Sequence, residues 1–257
     1  MRELTIGTMH VEIHDDKAAL GAAAAEGAGA SLRRTIATQG SARVIFATGA
    51  SQYEFLAALL KVPGVDWRAV TAFHLDEYLG LLAQHPASFR RYLRERLFDH
   101  LPFGAIHLLQ GDAPDPRAEC RRYAGLLAAA PVDLACIGIG ENGHLAFNDP
   151  PADLQTPELV RIVELDEACR RQQVGEGHFA TVNDVPGRAL SLSIPAILAA
   201  REISCAVPDL RKAQAVRGSL EGPITPQCPG SALRKHSHVR LYLDRDSASL
   251  LATGGAR

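Results

Sequence analysis

VDLACIGIGENGHLAFNDP, residues 132–150, decides how the rest of the chain is read. Its first six residues are an apolar run of the length of a buried strand. The run breaks on Gly138, Gly140 and Gly143, which bracket Glu141, Asn142 and His144. Glycines there let the backbone approach a ligand closely. An imidazole such as that of His144 is suited to moving protons near neutral pH. Asp149, five residues on, can hold and polarise that imidazole. A strand that ends in glycine, amide, imidazole and carboxylate points to the carboxyl edge of a parallel sheet, where ligands bind.

Working outward, short β-rich runs alternate with longer helical ones. RVIFAT (43–48), AVTAFHLDEY (69–78), AIHLLQG (105–111), ALSLSI (189–194), EISCAVP (202–208) and HVRLYLD (238–244) read as strands. QYEFLAALLK (52–61), the stretch 85–101, PRAECRRYAGLLAAA (116–130) and RKAQAVRGSLEG (211–222) read as helices, and 16–38 as a further helix despite its glycines. No repeat, low-complexity block or long linker interrupts them. The alternation predicts an α/β fold, one domain over 1–257, with a mostly parallel sheet covered on both faces by helices.

Two more strand ends carry candidate chemistry. ATGASQ (47–52) offers Thr48, Gly49, Ala50 and Ser51 at a helix N-terminus, a setting for a phosphate. A plain tight turn with Ser51 as helix cap fits the same residues. FHLDEYLGL (73–81) sets Asp76 and Glu77 side by side. Neighbours on a strand face opposite ways, so only one of the pair can face a site; a general base supported by a second carboxylate is the functional reading, a solvated loop pair the other. Lys212 opens a helix and can pair with a phosphate, or lie exposed.

The chain has 257 residues, 47% hydrophobic and 22% charged, with a formal net charge of −2. That charge gives no electrostatic reason to expect a nucleic acid or an anionic membrane as partner. No apolar run reaches the ~20 residues of a membrane span, and the first residues are too polar for a signal peptide. Five scattered cysteines (120, 136, 169, 205, 228) without CxxC spacing suggest a reducing compartment. The expectation is a cytoplasmic protein; a homo-oligomer stays open.

Together these stretches resemble the glucosamine-6-phosphate deaminase family, within the wider group of sugar-phosphate isomerases and 6-phosphogluconolactonases. ATGAS is similar to the family's PTGGTP loop, FHLDEYLGL to NMDEYVGL, HPASF to HPESY, GIGENGHLAFNDP to GIGxNGHIAFNEP, and RKAQAVRGSLEG to its KAxA…EG helix. The likeness runs in order from about residue 12 to 250. It implies a Rossmann-like, doubly wound sheet and conversion of glucosamine 6-phosphate and water to fructose 6-phosphate and ammonia, without cofactor or metal. It makes Asp76 the base at C2, His144 the ring-opening group oriented by Asp149, and Asn142 a fourth catalytic position. Thr48, Gly49, Ala50, Ser51, Glu77, Gly140, Gly143 and Lys212 would then contact the amino sugar phosphate.

The chain departs from the family pattern in several places. Asp149 stands where the motif has Glu, so its reach to His144 calls for a bridging water or a shifted backbone. Ala50 replaces a loop glycine and Gln52 a proline. Residues 150–162 lack the stretch with which some members bind an activating sugar phosphate, so no such activation is expected. Segment 162–187 reads as a lid, in which Arg170, Arg171 or His178 would complete the phosphate site. A galactosamine-6-phosphate deaminase/isomerase, a 6-phosphogluconolactonase and a non-catalytic sugar-phosphate sensor are the competing readings; NGHLAFNDP and DEYLGL follow the deaminase pattern rather than the lactonase DGHxAS and DER.

Overall fold

The alternating strands and helices build one large sheet and one small one. The computed structural model describes residues 1–175, 177 and 179–252. In chain order these hold β1 (Arg2–Ile6), β2 (Met9–His14), α1 (Lys17–Gln39), β3 (Ala42–Phe46), α2 (Tyr53–Leu59), β4 (Val70–His74), β5 (Asp76–Tyr78), α3 (Phe89–Leu93), β6 (Ala105–His107), α4 (Pro116–Ala128), β7 (Leu134–Ile137), β8 (Val160–Glu164), α5 (Glu167–Gly175), β9 (Arg188–Leu192), α6 (Ile194–Leu198), β10 (Glu202–Val207), α7 (Ala213–Glu221) and β11 (Val239–Asp244). The large sheet runs β1-β2-β11-β10-β7-β3-β4-β6, parallel throughout except for the β1–β2 hairpin. From the central pair β3 and β7 the chain winds outward in opposite directions, which opens a crevice beyond their carboxyl ends. This is the expected mostly parallel, doubly wound α/β fold.

Helices close both faces. α1 starts at Asp16, whose side chain accepts from the Ala19 N–H at 2.8 Å, and stops at Gly40, φ 79°, a left-handed cap. Its inner face is small (Gly21, Ala24, Ala25, Ala28), and a Cβ on Gly21 would come within 2.6 Å of the Glu54 backbone. The glycines of the 16–38 stretch therefore set how closely α1 and α2 approach; they do not unravel the helix. One apolar core on this face joins Leu20, Leu32, Val44, Phe46, Leu56 and Leu97, while the other joins Val11, Ile45, Phe73, Ile137 and Leu241.

The expected strand 69–78 is two strands in two sheets. Leu75 is the crossing point: its N–H donates to Phe46 in the large sheet, and its carbonyl accepts from Leu192 in the small one. The small sheet, β5-β9-β8, is antiparallel, and neither it nor the β1–β2 hairpin was expected. β1 exposes most of its length, leaving only Leu4 and Ile6 as apolar signal. The helix expected over 85–101 is α-helical only in α3, then widens into a π-type turn over Arg94–Phe98. A third cluster, Tyr78 with Phe89, Phe147 and Phe179 at ring separations of 4.9, 5.1 and 5.3 Å, ties the small sheet to the turn after His144.

Candidate active site

The carboxyl ends of β3, β4 and β7 meet at a cleft of about 520 Å³, lined by Thr48, Gly49, Ser51, Asp76, Gly138, Gly140, His144, Gln172, Gln173 and Lys212, with Leu75, Phe89, Ile139 and Phe147 as apolar walls. The β3 loop is held from several sides. Gly49 has φ 100°, which requires glycine, and its carbonyl accepts from the Tyr92 hydroxyl at 2.8 Å. Gln52, at the position of the family motif's proline, is buried; its amide donates to Ser51 Oγ at 3.1 Å and to the Ala206 carbonyl of β10 at 3.3 Å. That amide fixes the Ser51 hydroxyl relative to the large sheet. Ala50 keeps an ordinary negative φ, so its methyl costs the loop nothing, and it does not line the cleft.

The two adjacent carboxylates diverge as strand geometry requires. Asp76 faces the cleft and is 6% exposed. Burial and then the neighbouring Glu77 push its carboxyl well above the ordinary carboxylate range. Glu77 points away, fully buried, and accepts from Ser88 Oγ at 2.7 Å, from the N–H groups of Tyr78, Phe89 and Arg90, and from Arg90 Nε at 3.2 Å. Its expected contact with a ligand is therefore corrected: its oxygens are occupied in fastening the HPASF turn and α3 behind Asp76. Arg90 continues the network to Gln110 and Asp112, at 3.0 and 2.7 Å.

The glycine loop is shaped around the imidazole. A Cβ on Gly140 would press on the His144 ring, 2.2 Å from Cε1 and Nε2 and 2.4 Å from Cδ2. Gly143 turns at φ 88°. His144 Nδ1 lies 3.1 Å from Asp149 Oδ1, at ion-pair distance but off the line of an ideal N–H···O bond. The shorter carboxylate thus reaches its histidine directly, without the bridging water considered from sequence. Ala146, at φ 52°, and the Leu145–Asn148 bridge fold the chain back to make this contact. Asn142 secures both ends: its amide donates to Asp149 Oδ1 at 3.1 Å and its oxygen accepts the His144 N–H at 3.0 Å. Burial opposes ionisation of Asp149, but His144 and Asn142 outweigh it and hold the carboxyl below its usual range. Asn142, Gly143 and Asp149 stand behind His144 and do not line the cleft themselves.

The family model described as glucosamine-6-phosphate isomerases/6-phosphogluconolactonase matches residues 15–242. The chain belongs to that family. A glucosamine-6-phosphate deaminase of Exiguobacterium sp. is 41% identical over 194 residues, covering 76% of this chain and 75% of the relative. One of Bacillus cereus is 36% identical over 219 residues, covering 85% and 82%. A solved monomeric glucosamine-6-phosphate deaminase superposes with a TM-score of 0.86 at 31% identity, over 93% of this chain and 99% of that one. A 6-phosphogluconolactonase of Shewanella baltica shares the fold, with a TM-score of 0.75 at 20% identity over 91% and 97%.

Of the positions read from sequence, Thr48, Gly49, Ser51, Asp76, Gly140, His144 and Lys212 meet at the cleft. Lys212 is buried there, on the turn leading into α7. Arg170 instead donates to the Val182 carbonyl at 2.6 Å, Arg171 pairs with Glu167 on the outer face, and His178 lies outside the described residues. What the sequence reading passed over is the pair Gln172 and Gln173 of α5, next to those arginines. Gln173 is buried and its Oε1 accepts the Tyr78 hydroxyl at 2.6 Å. Two uncharged amides following two arginines on one helix were the available signal. Among the described residues no helix is long and apolar enough to cross a membrane.

Proposed function

We propose that the chain converts glucosamine 6-phosphate and water to fructose 6-phosphate and ammonia. The observation that carries the reading is one cleft holding a buried carboxylate, Asp76, opposite the Asp149-backed imidazole of His144. Asp149 faces Nδ1, which makes Nε2 the atom that exchanges protons with the sugar. His144 gives a proton to the ring oxygen as the C1–O5 bond opens and takes the C1 hydroxyl proton in return as the aldehyde forms. Asp76 then removes the C2 proton while His144 returns a proton to O1, forming an enolamine, and Asp76 delivers its proton to C1. Water adds to the resulting imine at C2, and ammonia leaves as the ketone forms. The stoichiometry needs only water beside the sugar. Each acid–base step of this kind contributes about 10²–10⁴-fold. A carboxyl that binds its proton more tightly than a surface acid is matched to taking one from carbon.

Thr48, Gly49 and Ser51, with the ammonium of Lys212, would hold the 6-phosphate, and that remote binding fixes C1 and C2 against Asp76. The chain would act as a single domain, with 162–187 as lid. Gln172 and Gln173 on the cleft wall support that role. The test is ammonia release with fructose 6-phosphate followed in parallel, Asp76→Asn serving as control. Turnover of glucosamine 6-phosphate that vanishes in the variant is expected. Turnover of galactosamine 6-phosphate or of a lactone instead would move the substrate, and sugar-phosphate binding without any turnover would make the protein a sensor.

A further inference from the structure

The candidate phosphate site holds fewer cations than its ligand requires. A phosphate monoester carries about −1.5 to −2 at neutral pH, yet Lys212 is the only lysine or arginine among the described residues that line the cleft. Arg170 and Arg171 are engaged elsewhere. Arg211 is better placed than either. It precedes Lys212 on the same short turn, and its Nη1 lies 3.4 Å from Glu141 Oε1. Glu141 belongs to the glycine loop, next to Gly140 of the cleft wall. A shallow side cleft lined by Glu141, Asn142, Arg171, Gln172, Gly175 and Arg211 opens beside the main one, and Gln172 lines both. Both members of the ion pair are about a third exposed, at 36% and 37%.

We infer that Arg211 is the second cation of the phosphate site, with Glu141 as the group that occupies it until phosphate arrives. The inference rests on reading the cleft as a sugar-phosphate site. A pair this exposed, at this distance, contributes little by itself. A guanidinium meeting a phosphate gains two parallel charge-assisted hydrogen bonds, so the exchange of partners runs toward the ligand. Glu141 then competes with phosphate for Arg211, and removing each member of the pair has opposite effects on affinity. An ion pair that served only to brace the loop would give effects of one sign.

The experiment titrates inorganic phosphate calorimetrically into the wild-type protein and into Arg211→Gln, Glu141→Gln and Arg171→Gln, and repeats the series as KM for glucosamine 6-phosphate. Arg211→Gln should weaken phosphate binding roughly ten-fold or more, and raise KM with kcat within about two-fold. Glu141→Gln should tighten both by a few-fold, and Arg171→Gln should change neither. Unchanged phosphate binding in Arg211→Gln overturns the assignment. So does weakening in Glu141→Gln, the signature of a brace, or an equal loss in Arg171→Gln, the signature of diffuse charge. Because phosphate binding needs no turnover, an inactive protein with the expected phosphate pattern would refute the deaminase reading alone.

Discussion

Gly140→Ala tests whether the glycine loop exists to seat the imidazole. The added Cβ falls on the His144 ring, far inside the ~3.5 Å at which carbon atoms make contact, so ring or loop must retreat by roughly 1 Å. Nδ1 lies 3.1 Å from Asp149 Oδ1 and off the ideal line, so a shift of that size changes the contact that orients the ring. A 1 Å misplacement of a catalytic group is worth about 10²-fold, or about 2.7 kcal/mol of transition-state stabilisation. The expected result is a kcat/KM near one hundredth of wild type in the ammonia-release assay. The loss should fall mainly on kcat, since Thr48, Gly49, Ser51 and Lys212 are untouched. His144→Ala introduced into Gly140→Ala should add little, because both act on one element. A Gly140→Ala protein within three-fold of wild type would refute the seating argument. A fully additive double variant would show that the two positions act separately.

Asp76→Asn should raise thermal stability as it abolishes turnover. With the folded pKa raised, the unfolded chain loses this proton near pH 4 while the folded chain retains it, so stability falls as pH rises from there toward the folded value. Removing the acid removes the penalty, and each 1 kcal/mol recovered moves Tm by about 2–4 °C; a Tm at pH 7 below wild type contradicts this. Asp149→Asn should lower kcat about 10²–10⁴-fold with KM little changed, whereas Asp149→Glu should stay within ten-fold; equal losses in the two would argue against an orienting role. The stability lent by the depressed Asp149 pKa is present above the unfolded value and lost as pH falls through the folded one, so the Tm gap between wild type and Asp149→Asn should close on acidification. Arg90→Met should destabilise by about 3–5 kcal/mol in denaturant unfolding, since it strands the fully buried Glu77; a loss under about 1 kcal/mol would mean that the Ser88 hydroxyl and backbone N–H groups suffice.

The parallel half of the fold was legible because its strands are short, apolar on both faces and punctuated by glycine, as at residues 132–140. The small sheet was not. β4 and β5 read as one strand because a crossing residue such as Leu75 is still extended and apolar; what differs is which partner each of its backbone groups meets, and those partners, Phe46 and Leu192, lie far away in the chain. Among candidate site residues, His144 stood out because it lies between glycines at a strand end, whereas Asp76 and Lys212 had ordinary local readings and stood out through the family resemblance. Glu77 was misassigned because its partners come from the HPASF turn and α3, a tertiary contact that local pattern does not encode. Gln172 and Gln173 escaped because an amide carries no distinctive chemistry until its surroundings are known.

The crossing at Leu75 is also what makes the site. Had the chain stayed in the large sheet, Asp76 would have paired beside β3 and β6 like any continuing strand. By switching sheets it pairs with Ser191 of β9, whose hydroxyl accepts the Phe147 N–H at 3.1 Å and so anchors the turn between His144 and Asp149. Asp76 and the imidazole are thus positioned by one strand, β9, although they follow two different strands of the large sheet, β4 and β7. The same junction leaves Asp76 Oδ1, on the cleft wall, buried without a hydrogen-bond partner among the described residues. Buried polar atoms are otherwise nearly always satisfied, because each orphan costs about 1–3 kcal/mol. An orphaned carboxylate oxygen in the cleft wall marks a place where stability has been given up for a polar group left open to a ligand.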